Sequence, residues 1–191
     1  VNADGKIDDD DIVPIAHSNV PQIQYGFALE YRYKRWTISA LFTGAAKVNF
    51  LYGGSGFYPF SGGEVGNILS IVNDPKNRWT PAWYSGDPST ENPNARFPRL
   101  TYGENKNNNR ASTFWLADGS YLRWKSLDIS YRIGTNKALR TVGISDMNLQ
   151  FVGQNLAVWD SVKLWDPGQA SQNGAVYPLQ RTFSIQLTAT F

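Results

Sequence analysis

The sequence predicts an all-β fold, a segment of an antiparallel transmembrane β-barrel with long loops. Three observations predict it: five stretches alternate apolar and polar residues, the apolar side of each stretch carries no charge, and short and long connections alternate between them. Alternation with a period of two is typical of strands whose two faces meet different surroundings. A charge-free apolar face is what the lipid-facing side of a membrane barrel requires.

The five stretches follow one pattern. They cover residues 23–33, 36–44, 127–133, 147–155 and 183–191. Every charge within them lies on the polar side: Glu30, Arg32, Asp128 and Arg132. Aromatic residues gather near their ends, as in the girdles of membrane barrels: Tyr31, Tyr33, Trp36, Tyr131 and Phe191. Alternation alone also fits a soluble β-sandwich with one solvated face.

The connections alternate in length as they do in bacterial barrels, where periplasmic turns are short and extracellular loops are long. Lys34 and Arg35 form a tight turn, residues 44–120 form a long loop, 134–146 an intermediate one and 158–181 a long one. If Phe191 lies in the periplasm, counting back along the chain places the 44–120 loop outside the cell.

Composition limits the function classes. The 191 residues include no cysteine and one histidine, and the formal net charge of +2 comes from scattered residues. Disulfides and thiolate metal sites are therefore absent, and nothing indicates nucleic-acid binding. No carboxylate pair or nucleophile–base set is evident, so we do not expect an enzyme.

The first residues are similar to a calcium loop that lacks its first position. Five residues supply oxygen ligands at suitable spacing, one of them through its backbone carbonyl (Lys6): Asn2, Asp4, Lys6, Asp8 and Asp11. The sequence thus suggests Ca²⁺ as a cofactor. The alternative is an Asx-rich turn with solvated carboxylates.

Five aromatic residues outside the alternating faces are candidates for contact with substrate or partner: Trp79, Trp83, Tyr84, Trp159 and Trp165. Such rings stack on sugars or contact a protein, and they also pack loops against themselves. Both interpretations stay open.

Several stretches are distinctive together, and they occur in this order: ADGKIDDDD (3–11), PQIQYGFALEYRYKRWTISALFTGA (21–45), RWTPAW (78–83), ENPNARFPRL (91–100), STFWLADGSYLRWKSLDISYRI (112–133), VGQNLAVW (152–159) and the strand ending at Phe191. They resemble the C-terminal end of the SusC/RagA family of TonB-linked outer-membrane transporters. Trp124 departs from the Leu usual there, at a position that we expect to face the lumen. The segment AWYSGDPST (82–90) is an insertion.

The resemblance implies that residues 1–191 are the C-terminal portion of such a transporter, the last five or so strands of a 22-stranded plugged barrel. The plug domain, the TonB-contacting segment and the earlier strands then lie outside this chain. The implied function is TonB-energised import of glycans or peptides across the outer membrane of a Gram-negative bacterium, with membrane lipid around the barrel. A SusD-like surface lipoprotein is the implied partner. The alternative is a soluble, calcium-dependent carbohydrate-binding β-sandwich.

The chain ends on an aromatic residue, with apolar residues at every second position back to Phe183. The resemblance to outer-membrane proteins implies that Phe191 is an assembly signal. An unpaired terminal strand can be recognised by β-augmentation. The alternative is that Phe191 only anchors the strand at the membrane interface.

Overall fold

The computed structural model describes residues 3–6, 8–61, 68–103 and 105–191. Within these residues the strands are β1 (Ile23–Tyr33), β2 (Trp36–Ala46), β3 (Asn49–Leu51), β4 (Leu116–Asp118), β5 (Tyr121–Arg132), β6 (Asp146–Asp160) and β7 (Thr182–Thr190). Three short helices are α1 (Ser70–Asn73), α2 (Ala82–Ser85) and α3 (Lys137–Thr141). The expected all-β, mainly antiparallel fold is confirmed. None of the helices in the described residues is long and apolar enough to cross a membrane.

The chain divides into two compact units. Unit 1 comprises Val1–Asn49, Asp118–Trp159 and Arg181–Phe191, and unit 2 comprises Phe50–Ala117 and Asp160–Gln180. Unit 1 contains a five-stranded sheet in the order β1-β2-β5-β6-β7. A second sheet contains only β3 and β4. The five strands of the larger sheet are the five that alternation predicted.

β1 and β2 form a hairpin whose register matches the two apolar faces. Tyr33 pairs with Trp36, so the connection has only two residues. Lys34 in this turn has a φ of 53°, and a positive φ lets a two-residue loop follow the right-handed twist of the strands. Phe27 pairs with Phe42 across the hairpin. The predicted apolar side is therefore continuous over both strands.

A β-bulge in β5 changes the face on which its first residues lie. Leu41 of β2 pairs with Ser126, and the next residue, Phe42, pairs with Trp124, so Lys125 is the extra residue. Counting by twos had placed Trp124 on the polar, lumen-facing side. The structure places it on the apolar side, where its ring lies 5.7 Å from that of Phe42. That expectation was wrong, because simple alternation does not account for an inserted residue.

Aromatic side chains connect the strands on this side of the sheet. The rings of Phe27 and Phe42 are stacked at 5.0 Å. Tyr25 crosses Gly44, where a Cβ would lie only 2.4 Å from the tyrosine ring. Its hydroxyl donates to the carbonyl oxygen of Tyr121 at 2.9 Å. Cross-strand contacts of this kind fix the register of a sheet.

The last two strands repeat the pattern. Leu149 pairs with Leu187 and Phe151 with Ile185, so apolar residues again meet on one side. β6 is longer than predicted and continues to Asp160, into the residues assigned to the 158–181 loop. Asn155 has a φ of 53°, an irregularity within the strand that alternation does not reveal.

The opposite side of the sheet carries a polar network. The Asp128 carboxylate accepts hydrogen bonds from the Ser130 hydroxyl at 3.0 Å and from the Gln150 amide. Arg132 forms an ion pair with Asp146 at 3.0 Å. Polar partners on strands β5 and β6 thus meet on the face that carries the charges, as the sequence predicts.

The five-stranded sheet is open within the described residues. β1 and β7 are its edges. All residues of β1, and all of β7 except Ala189, are exposed. Among these residues β1 and β7 each have one unpaired edge, and the sheet does not close into a barrel.

Unit 2 has a core of its own. Four fully buried side chains form its centre: Phe57, Val72, Phe97 and Trp115. Half-buried Tyr52 and Tyr58 pack against them, and burial raises the pKa of both phenols. The segment 44–120 is thus not a plain loop: its first three residues belong to β2, and most of the remainder folds around this core.

Candidate binding site

Unit 2 contains a cleft of about 460 Å³. Its lining is aromatic and aliphatic, with two arginines and two threonines: Phe60, Arg78, Trp79, Thr80, Pro81, Trp83, Tyr84, Arg99, Leu100, Thr101 and Tyr102. This size and composition suit a pocket for one or a few residues of an oligomer, since ligand sites combine apolar walls with a few placed polar groups.

The exposed rings of the cleft lie on a short helix with defined ends. Pro81 precedes α2, and Gly86 caps its C-terminal end, with a φ of 75° and its N–H donating to the Ala82 carbonyl. Trp83 and Tyr84 on this helix are 79% and 66% exposed, and their rings lie edge to face at 5.9 Å. The cleft therefore presents two large aromatic surfaces to an incoming ligand.

Hydrogen bonds hold the inserted segment in place. The Thr80 N–H donates to the Thr90 carbonyl at 2.9 Å, and the Thr90 hydroxyl donates to the Thr80 carbonyl at 2.8 Å. The Glu91 carboxylate accepts from the Ala82 N–H at 2.8 Å. Hydrogen bonds from Ser89 hold the pKa of Asp87 below its ordinary value. Helix α2, which carries Trp83 and Tyr84, thus lies in a loop that these hydrogen bonds hold in place.

A backbone bridge brings distant residues to the cleft. Arg78 and Phe97 form an isolated parallel bridge, and the Trp79 N–H donates to the Phe97 carbonyl at 3.0 Å. Phe97 is anchored in the core of unit 2. Arg99 and Tyr102, which follow it, therefore join the lining. Neither was predicted from the sequence, although Arg99 lies within the distinctive stretch 91–100 and Tyr102 follows it by two residues.

Arg78 is the buried charge of the cleft. It is 8% exposed. Its Nη1 donates to the carbonyl oxygens of Val72 at 2.6 Å and Asn73 at 2.8 Å. These bonds fix the guanidinium to the core of unit 2 and leave its other nitrogens without a partner in the described part of the chain.

The five aromatic candidates separate into three groups. Trp79, Trp83 and Tyr84 meet in the cleft. Trp165 packs in the core of unit 2, with its ring 5.7 Å from Phe57 and its indole N–H donating to the Ser171 carbonyl at 2.9 Å. Trp159 lies near the end of β6, in unit 1, and is half exposed.

The acidic segment forms local turns. Asp8 caps the 3₁₀ turn Asp9–Asp11, and the Asp11 side chain accepts from the Asp8 N–H in return. The Lys6 N–H donates to Asp4 at 2.7 Å. Asn2 lies outside the described residues. Within those residues no group of three or more acidic or histidine side chains is placed to hold a metal, so calcium binding stays a prediction.

Phe191 follows the last residue of β7, and 84% of its surface is exposed. Its role as an assembly signal stays a prediction.

No protein-family model and no curated protein matches the chain. Solved structures match it over 97% of its length. It is similar to a chain of the RagAB peptide importer in the open-open state (20% identity, TM-score 0.66), of the RagAB peptide transporter (20%, 0.66) and of the importer in the closed-closed state (19%, 0.69). The chain spans 19% of the length of each of these. At this level of identity the likeness establishes a shared fold: this chain has the fold of a part of these three RagAB importer chains.

Proposed function

We propose that this chain forms part of the wall of a TonB-dependent outer-membrane transporter of the SusC/RagA family. The observation that carries this proposal is the exposed apolar side of the sheet. Leu29 is 61% exposed and Leu187 is 60% exposed. The register continues this side across β1, β2 and β5, and again across β6 and β7. A large apolar surface without charge indicates contact with lipid or protein.

The edges of the sheet support a closed barrel in the whole protein. Unpaired strand edges cannot remain in hydrocarbon, because each free N–H and C=O there costs several kcal/mol. β1 and β7 therefore pair with other strands of the same barrel, for which the plugged, 22-stranded architecture of large outer-membrane transporters is the proposed form. This chain supplies five of its strands.

The proposed activity is import of an oligomeric nutrient, energised by TonB through a part of the protein outside this chain. A peptide substrate is favoured over a glycan, because the similar structures are described as peptide importers. A SusD-like lipoprotein is the proposed lid, with unit 2 on the outside of the cell as the surface that meets the lipoprotein or the substrate. No step of this role requires catalysis. No observation favours the soluble β-sandwich.

Cysteine labelling on intact cells tests the topology. Ser61→Cys and Ser89→Cys lie in unit 2, and the chain has no cysteine of its own. Both should react with a membrane-impermeant maleimide in cells that lack the lipoprotein, and should be protected when it is present. A cysteine at Lys34, in the turn assigned to the periplasm, is the control and should react only after the outer membrane is permeabilised. Labelling of the Lys34→Cys variant on intact cells would contradict the proposed orientation.

A further inference from the structure

We propose that the cleft of unit 2 binds an acidic segment of a peptide, with Arg99 and Arg78 receiving a carboxylate and Trp83 and Tyr84 packing against neighbouring apolar side chains. This inference rests on the proposed function and names the chemistry of the substrate that unit 2 meets.

The cleft contains a buried cation that has no anionic partner among the described residues. Arg78 is almost fully buried and bonds only to backbone carbonyls. Burying a cation without an anion is costly. Among the described residues, no fully buried side-chain nitrogen or oxygen lacks a hydrogen-bond partner. The Nε and Nη2 atoms of Arg78 therefore keep access to solvent. Since Arg78 lines the cleft, a ligand carboxylate there would supply the missing anion.

The charged side chains that line the cleft are all positive. Arg99, which is exposed, is the other charged residue of the cleft, and no aspartate or glutamate is among the described residues that line it. Neither arginine has a carboxylate partner in the described part of the chain. A guanidinium offers a planar fork of donors that matches a carboxylate. The cleft is therefore complementary to a negative group.

The side chains of the lining suit a peptide better than a sugar. Sugar hydroxyls donate hydrogen bonds and need acceptors, which asparagine, glutamine, aspartate and glutamate usually provide. None of these four residue types is in the described lining, whereas apolar and aromatic side chains dominate it. A peptide that alternates acidic and apolar side chains satisfies both the arginines and the rings.

The test is calorimetric titration of the full-length protein in detergent. The probes are a capped hexapeptide that contains two glutamates and two phenylalanines, and the same peptide with glutamine for glutamate. Tetragalacturonate is the third probe, because it offers carboxylates on a sugar chain. We expect the acidic peptide to bind about tenfold or more tightly than the amide peptide, the factor that a charged hydrogen bond supplies.

Variants locate the effect. Arg99→Gln should lower the preference for the acidic peptide about tenfold, the same charged-bond factor. Trp83→Ala should lower the affinity for both peptides by the same factor. Arg140→Gln, which removes an arginine of α3 in unit 1, is the matched control and should change nothing. Affinity of the unmodified protein for the acidic peptide should also fall as salt rises, which tests the charge without any substitution.

Three results would overturn the inference: equal affinity of the unmodified protein for the two peptides, no binding of either peptide, or tighter binding of tetragalacturonate than of the acidic peptide. None of them touches the membrane assignment, which the labelling of Ser61→Cys and Ser89→Cys tests independently.

Discussion

The two units of this chain bury their apolar residues in opposite ways. In unit 2, Phe57 and Phe97 are each 1% exposed, inside a core that the unit makes for itself. In unit 1, comparable side chains on β1 and β7 stay open, with Phe27 47% and Ile185 76% exposed. Unit 2 thus meets the ordinary condition of a water-soluble fold. Unit 1 leaves a large apolar surface exposed, which under the proposed function lies against lipid.

The difference shows that the order of apolar residues along the chain, and not only their type, determines whether they form an exposed face or a buried core. In unit 1 the aromatic and aliphatic residues alternate with polar ones, so one flat face collects them. In unit 2 they are scattered among glycine, proline and asparagine, and only the folded chain brings them together. Stability of the first unit should respond to lipid and that of the second to core packing.

The largest expected effect is on the core of unit 2. Phe57→Ala should destabilise unit 2 by about 3–5 kcal/mol, because it leaves a cavity among Phe97, Trp115 and Trp165. Leu179→Ala, at an exposed position of the same unit, should cost less than about 0.5 kcal/mol. Limited proteolysis of the full-length protein measures this. Cleavage within 50–117 should increase for Phe57→Ala and not for Leu179→Ala. If Phe57→Ala also abolished the gel band of the folded, unheated barrel, the effect would not be confined to the core of unit 2.

The next effect distinguishes the two sides of the sheet. Leu187→Arg puts a charge on the apolar side and should cost about 2–4 kcal/mol near the bilayer midplane. Thr188→Arg is its neighbour on the polar side and should cost much less. Folding of the full-length protein into lipid vesicles, followed by urea titration, gives both values. Equal penalties would mean that the faces are assigned wrongly.

A smaller effect concerns the contact that fixes the register. Gly44→Ala should cost about 1–3 kcal/mol, because a Cβ at this position would lie 2.4 Å from both the Tyr121 carbonyl oxygen and the Tyr25 ring. Gly26→Ala is the matched control, since the nearest atom to its Cβ is 3.3 Å away. The same vesicle titration measures both variants. If Gly44→Ala left the stability unchanged, the contact of Tyr25 with Gly44 would not be what fixes the register of β1 against β2.

The smallest effect is a dependence on pH in the inserted loop of unit 2. The pKa of Asp87 lies below its ordinary value because the Ser89 hydroxyl and N–H donate to it. Its contribution to loop stability is therefore present above the unfolded pKa of 3.8 and is lost as the pH falls through the lower, folded pKa. Asp87→Asn should remove this acid dependence, and Ser89→Ala should reduce it. The protection of the Ser89 amide against hydrogen exchange is measured from neutral to acidic pH. If this protection depended on pH in both variants as it does in the unmodified protein, Asp87 would not be its source.

Much of the sheet could be predicted from the sequence, because period-two alternation is a local signal. The β1–β2 turn and all five strands were found in this way. The side of Trp124 could not be found, since the extra residue at Lys125 shifts the alternation without a local mark. The core of unit 2 was hidden because Phe57 lies in a glycine-rich stretch that is typical of loops.

The cleft was predicted in part for a related reason. Trp79, Trp83 and Tyr84 are near neighbours in sequence, so grouping them needs no knowledge of the fold. Arg99 and Tyr102 reach the same cleft only through the backbone bridge between Arg78 and Phe97. Sequence spacing does not determine such a non-local contact.

The central claim, that the apolar side of unit 1 faces lipid, is tested most directly by spin labels at adjacent residues. Leu149→Cys and Asn148→Cys place a nitroxide on opposite sides of β6, on a chain with no other cysteine. In full-length protein in lipid vesicles, the label at 149 should collide more with oxygen, which concentrates in the bilayer, and the label at 148 more with a water-soluble nickel chelate. The same collision ratio at both positions would contradict the account.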